Sequence, residues 1–212
     1  MVDDALDAEL AGHRHGRVPR DLRRRQVVSV ATELFAEVGF TGASMDELAR
    51  RVGVSKPVIY DLVGSKEQLF STVTDSFARE LGDRIVAAVV DADEPRAQFR
   101  AGAVAFFTFV AEQRDAWVTL GATGTASVHA GLDGVRRRQA DLVALLLAEW
   151  FRRSAGEADQ GDVDLAAHVV NGAFEAAAVW WRDHPDRSPA DLASFVTDLV
   201  VPGLDALAAR RS

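Results

Sequence analysis

The chain has 212 residues, 48% of them hydrophobic and 26% charged, with a formal net charge of −8. That is enough apolar material for one generous domain or for a small domain joined to a larger one. Cysteine is absent, which excludes disulfides, thiolate metal sites and a cysteine nucleophile. Residues 1–11 are acidic (Asp3, Asp4, Asp7, Glu9) rather than a basic start followed by an apolar segment. The longest apolar runs, near 103–111 and 142–148, fall far short of the ~20 residues that span a bilayer. A soluble, cytoplasmic protein with no membrane partner is expected.

The net charge argues against a polyanionic partner until its distribution is read. Residues 12–66 hold ten bases against six acids, whereas the chain beyond them holds 14 bases and 22 acids. A basic segment on an acidic body is the arrangement expected when one face meets phosphate and the rest must not.

In chain order, residues 1–20 read as a flexible arm, and nearly every later segment has helical spacing with no sustained two-residue alternation. A helix is expected over about Asp21–Val38, with Val27, Val30, Ala31, Leu34 and Phe35 on one face and Gly39 as its C-cap. Ser44-Met45-Asp46-Glu47 reads as a capping box, and Met45, Leu48, Ala49 and Val52 give the next helix its apolar stripe. Gly53-Val54 makes a turn, and Ser55 caps a short helix to about Leu62. Gly64-Ser65 breaks the chain, and Ser65 caps a long helix to about Val90. Further helices are placed at about 95–112, 114–121, 127–154, 162–184 and 189–210, with Pro189 at a first helical position and a kink at Pro202-Gly203.

Two short helices joined by a glycine-containing turn form a helix-turn-helix, expected over 21–66. Leu48, Val52, Val54, Ile59 and Val63 should face inward to fix the angle of the second helix. Ser55, Lys56, Pro57, Val58 and Tyr60 should then project from its start toward a major groove. Pro57 is tolerated there because first-turn amides have no intrahelical partner. The remaining open amides, the Ser55 hydroxyl and the Lys56 ammonium suit phosphate oxygens, as do Ser44 and Lys66 at neighbouring helix starts. Arg24 belongs to an arginine-rich stretch from Arg14 to Arg25 that is open to two readings, a groove or phosphate contact or a solvated lead-in.

The ordered set Leu34-Phe35, Gly39-Phe40, Ser44-Met45-Asp46-Glu47-Leu48-Ala49, Gly53-Val54-Ser55-Lys56-Pro57-Val58-Ile59-Tyr60 and Ser65-Lys66-Glu67-Gln68-Leu69 resembles the N-terminal domain of TetR-family regulators. The family commonly has histidine and then an aromatic residue two and three positions after the tyrosine; here those are Leu62 and Val63. The resemblance implies an all-α protein in which residues 67–212 form a helical domain that dimerises and binds a small effector. It also implies a regulator, expected to be a repressor that a ligand releases from palindromic operator DNA.

The last two helices suit association. Val169, Ala173, Ala176 and Trp180 lie along one, with Phe195, Leu199 and Leu204 within a stripe on the other, and pairing across a two-fold axis would give a four-helix bundle. Aromatic residues are dense in this half, with Phe106, Phe107, Trp117 and Trp150 among them and Phe99, Phe109, Phe151, Phe174 and Trp181 nearby. They suit a pocket for a mostly apolar effector, although any one such aromatic is more often plain core. His168, Asn171 and Glu175 share one face of an otherwise apolar helix. Their partners are a ligand, another helix or subunit, or water; Glu175 in a pocket would suit an amine. No phosphate-cradling glycine loop, nucleophile elbow or metal-spaced histidine pair is present, and His129 with Asp133 does not suffice for a metal. No enzyme, cofactor or metal is indicated.

Overall fold

The computed structural model describes residues 4–13, 18–114, 140–153 and 159–209. Arg14, Arg17, Trp117, His129, Asp133, the helix expected at 114–121 beyond Arg114, and residues 127–139 and 154 of the helix expected at 127–154 lie outside them. Among the described residues all regular structure is helical and no strand occurs. The helices are α1 (Asp4–Ala11), α2 (Arg20–Gly42), α3 (Met45–Val52), α4 (Lys56–Val63), α5 (Lys66–Val90), α6 (Pro95–Glu112), α7 (140–153), α8 (Gln160–Trp181) and α9 (Pro189–Ala209). The described residues fall into two compact units, one reaching to Ser76 and the other beginning at Phe77, so the first extends past the expected boundary at 66 into α5.

The first unit is held by α2, which packs on α1, α3 and α4. Val27, Ala31, Leu34 and Phe35 are its buried face. Gly39, at φ 70°, interrupts the helical backbone of α2 and swings Phe40 back toward Phe35 and Phe70. The three rings close a cluster with centroids 5.1–6.2 Å apart. Gly53, at φ 77°, takes the left-handed conformation that ends α3 and costs a residue without Cβ little.

Caps set the helix starts, though not all as expected. Ser44 accepts from the Glu47 amide at 3.1 Å, but the Glu47 carboxylate turns to Arg50 and Arg51 instead of closing the box. Charge-assisted bonds to guanidinium outcompete one to a backbone amide. The reciprocal box forms two helices later, at the start of α5: the Gln68 side chain accepts from the Ser65 amide at 2.8 Å while Ser65 Oγ accepts from the Gln68 amide at 3.2 Å. The expected flexible arm also needs correction, because it contains α1. Leu6 of α1 is only 5% exposed, and Glu9 pairs with Arg25 of α2.

In the second unit α9 packs along α6 and against α8. Leu147, Trp150 and Phe151 of α7 meet Val163, Ala167 and Val170 of α8 and Val201 and Leu204 of α9 in one core. By length and composition α9 could cross a membrane. Here it packs on two neighbouring helices and carries Thr197, Asp198 and Asp205 within the same span. The helix continues through Pro202.

Candidate functional site

The reading surface of the first unit grows from the α3–α4 turn. Leu48, Val52, Ile59 and Val63 are buried as expected, and Leu62 joins them, so the two aliphatic residues after Tyr60 plug the base of α4. Val54 is only half-buried, because it sits in the turn between the helices. With that face anchored, Ser55, Lys56, Pro57, Val58 and Tyr60 are all exposed at the start of α4. Ser55 is the N-cap residue, yet its side chain makes no capping bond, and Pro57 lies in the first turn where its missing N–H leaves no gap. Ser44 and Arg24 are exposed as well, and among the described residues Arg24 has no ion-pair partner.

Charges around this surface are pre-arranged. Lys56 Nζ lies 2.8 Å from Asp46 Oδ2 of α3, a bond that raises the ammonium above the ordinary lysine range. Lys66 sits 4.5 Å over the Phe40 ring, which fixes its stem while leaving it half-exposed. Arg51 bridges Glu37 of α2 and Glu47 of α3 at 2.7 and 2.8 Å. Its guanidinium and that of Arg50 hold the Glu47 carboxyl down at about 2. Arg20 pairs with Asp61 and also donates to the Asp61 carbonyl at 2.7 Å, tying the start of α2 to α4. These exposed pairs orient the helices more than they stabilise them.

The second unit contains a cavity of about 300 Å³. Phe106, Trp150, Asn171 and Glu175 line it. Phe107 does not: it is fully buried against Phe106, Phe174 and Trp181. His168 does not either; it is exposed, with Nδ1 2.8 Å from the Asp164 carbonyl oxygen one turn back. The residues that sequence reasoning missed come from α5 and α7, notably Leu81, Ile85, Val89, Leu142 and Leu147. One signal was available: Gly82 and Gly102 lie mid-helix, where glycine is disfavoured by ~1 kcal/mol against alanine. Both border the cavity, and a Cβ on either would touch a side chain of a neighbouring helix at 3.4–3.6 Å.

A third surface is apolar and open. On α8, Leu165, Val169, Val179 and Trp180 are exposed, with Val169 at 61%; on α9, Phe195 and Leu199 are each 67% exposed and Leu207 is also exposed. A Cβ added at Gly172 or Gly203 meets nothing, so the surface is flat enough for another backbone to come close. Ala176 is exposed on this face and Ala173 half-buried. Leu204, expected here, is instead 4% exposed and belongs to the unit's own core, as do Leu192 and Val196 of the same stripe. Among the described residues no group of three or more His, Asp or Glu side chains is placed to hold a metal.

Comparison with known proteins gives this arrangement a context. Residues 27–73 match the family model for bacterial regulatory proteins of the tetR family, and residues 95–203 match the tetracycline-repressor-like C-terminal domain. The transcriptional activator FasR of Mycolicibacterium smegmatis is 40% identical over 100 residues, which is 47% of this chain and 46% of FasR, so the chain spans less than half of that relative. A TetR-like regulator from a Rhodococcus species superposes with a TM-score of 0.67 at 27% identity, covering 89% of this chain and 98% of that one. FadR of Bacillus subtilis, solved with stearoyl-CoA, shares the fold with a TM-score of 0.72 at 17% identity over 84% of this chain and 98% of its own. With one model on the helix-turn-helix and the other over more than half of the sequence, the chain belongs to the TetR family of DNA-binding transcriptional regulators.

Proposed function

We propose that the protein is a ligand-released repressor, acting in the cytoplasm as a homodimer on palindromic operator DNA and catalysing no reaction. Ser55, Lys56, Pro57, Val58 and Tyr60 enter the major groove from α4, and Ser44, Lys66 and Arg24 hold flanking phosphates. Their shared exposure supports this reading. The exposed apolar face of α8 and α9, with Val169, Ala173, Ala176, Trp180, Phe195 and Leu199, is the pairing surface, because two reading helices must reach grooves ~34–36 Å apart.

The observation that carries ligand control is the composition of α5. One continuous helix bears Lys66 in its first turn and Leu81, Ile85 and Val89 of the cavity wall further along. A molecule seated in the cavity displaces that wall and with it the start of the helix. It acts only if it favours the conformation that does not fit operator DNA.

The test is selection of random duplex DNA by the purified protein, then titration of salt and of cavity ligands against the winning sequence. Enrichment of a palindrome, weakened by a ligand, supports the reading; equal binding to any duplex overturns it. A promoter reporter fixes the sign. Expression that rises on deletion of the gene supports repression, and expression that falls overturns it in favour of activation, the role that FasR carries by name.

A further inference from the structure

Base discrimination by α4 has to come from few side chains. At about 100° per residue, its exposed arc runs from Lys56 and Tyr60 through Pro57 and Asp61 to Val58, with Ile59, Leu62 and Val63 on the buried side. Arginine, asparagine and glutamine, the side chains that grip a purine edge with paired hydrogen bonds, are absent from α4. Asp61 is already paired with Arg20, and Lys56 with Asp46. The hydroxyls of Ser55 and Tyr60 both donate and accept, so either fits more than one base.

Val58 is different. It is 40% exposed and lies in the first turn of α4, the part of a recognition helix that meets base edges. Pro57, exposed at the neighbouring position, extends its apolar surface. Among the described residues of the first unit, the other large apolar side chains open to solvent are Tyr60 and Val38, and Val38 belongs to α2. The major groove offers hydrogen-bonding atoms at every base pair and a single kind of methyl group, the 5-methyl of thymine. An apolar side chain pressed on any other base edge strips water from polar atoms and returns no hydrogen bond, which costs free energy. Against the methyl, carbon is buried on both sides and the contact is favourable.

We infer that Val58 is a specificity-determining residue of the operator contact: each half-site carries a thymine whose 5-methyl packs against the Val58 side chain, beside Pro57. The inference rests on the proposed operator role of α4 and names the base that this position selects.

Thymine and uracil differ by that methyl alone, so deoxyuridine is the probe. The palindrome enriched from random duplex DNA by the full-length protein is remade with deoxyuridine at each thymine in turn, first in one half-site and then in both. Fluorescence anisotropy at fixed salt gives the affinities. At one or more positions the change should weaken binding about fourfold, and about fifteenfold when both half-sites are altered, the factor expected for one buried methyl in each. Cytosine at such a position should weaken binding further, and 5-methylcytosine should recover about fourfold of that loss. In Val58→Ala the deoxyuridine penalty at one of these positions should vanish, and in Val58→Thr, which exchanges one methyl for a hydroxyl, it should fall to about twofold. Unchanged affinity at every thymine, or half-sites with no thymine on either strand, overturns the inference while the palindrome upholds the operator reading. A penalty equally large in wild type and Val58→Ala at every position puts the methyl contact on another residue or on duplex shape, and overturns it as well. Should Val58→Ala not fold, Val58→Thr decides alone. Enrichment of no sequence removes the operator reading and the inference together.

Discussion

The two units of this chain solve opposite problems. In the first, the core closes on itself: Phe35, Phe40 and Phe70 interlock, Leu62 and Val63 plug the base of α4, and each of the helix starts at Ser44 and Ser65 has a side-chain cap. What it presents outward at the start of α4 is mixed, Ser55 and Lys56 beside Val58 and Tyr60. The second unit is left open, with a cavity inside and a broad apolar face outside. A polyanion can be met by display from a finished scaffold, because its attraction is long-ranged and survives water. An apolar partner, whether a ligand or a second subunit, is held through desolvation, so room for it has to be left in the structure beforehand.

The sharpest way to break this contrast is to charge the outer face. Phe195→Asp with Leu199→Asp should convert the proposed dimer to monomer in sedimentation, with operator affinity falling at least ~100-fold as the second reading helix is lost. A variant that stays dimeric would show that the open face is not an assembly surface. Next comes the packing difference itself. Phe35→Ala empties a closed cluster and should destabilise by about 3–5 kcal/mol in urea titration; Phe174→Ala, which enlarges space already present, should cost at least ~1 kcal/mol less. Equal losses would mean that the second unit is packed as tightly as the first.

Smaller effects sharpen the picture. Lys56→Ala should reduce the slope of log affinity against log salt by about one, and Asp46→Asn, which releases Lys56, should raise operator affinity at low salt about twofold to fivefold. Gly102→Ala should stabilise the protein by up to ~1 kcal/mol through helix propensity while weakening the binding of small apolar ligands in the cavity, because the added methyl touches Val89 and Ile85 at its wall. The least effect concerns acid. Glu47 ionises near 2 in the folded chain against an ordinary value of 4.5, so below that ordinary value the unfolded chain takes up the proton first. Its contribution is present above pH 4.5 and fades toward pH 2. Glu47→Gln should flatten the acid limb of a stability-versus-pH curve across that window.

How much of this was legible beforehand follows the same division. Ser44, Gly53 and Ser65 act within a few residues of themselves, so the helix-turn-helix and its exposed side chains could be read from sequence. The Glu47 carboxylate could not, since Arg51 and the Glu37 across from it decide where it turns. Nor could α1, where the buried Leu6 and the Glu9 that pairs with Arg25 make no apolar stripe. In the second unit, α8 and α9 are apolar on two faces, and periodicity cannot tell Phe195, which points out, from Leu204, which points in. The polar stripe of α8 divided likewise: Asn171 and Glu175 reach the cavity while His168 stands in solvent. The α5 and α7 walls of the cavity depend on helices distant in sequence, and only Gly82 and Gly102 hinted at them.

The resting pair between Lys56 and Asp46 has a kinetic consequence. A chromosome offers millions of wrong phosphates for each right one, and a repressor that clung to all of them would seldom arrive. If Lys56 is the phosphate contact proposed here, every encounter with random DNA must first displace a carboxylate already 2.8 Å away, so the exchange is close to even and the visit is short. Only where other contacts engage together does the exchange become one-sided. The acid beside the lysine thus shortens the search by keeping the protein from lingering where it has no business.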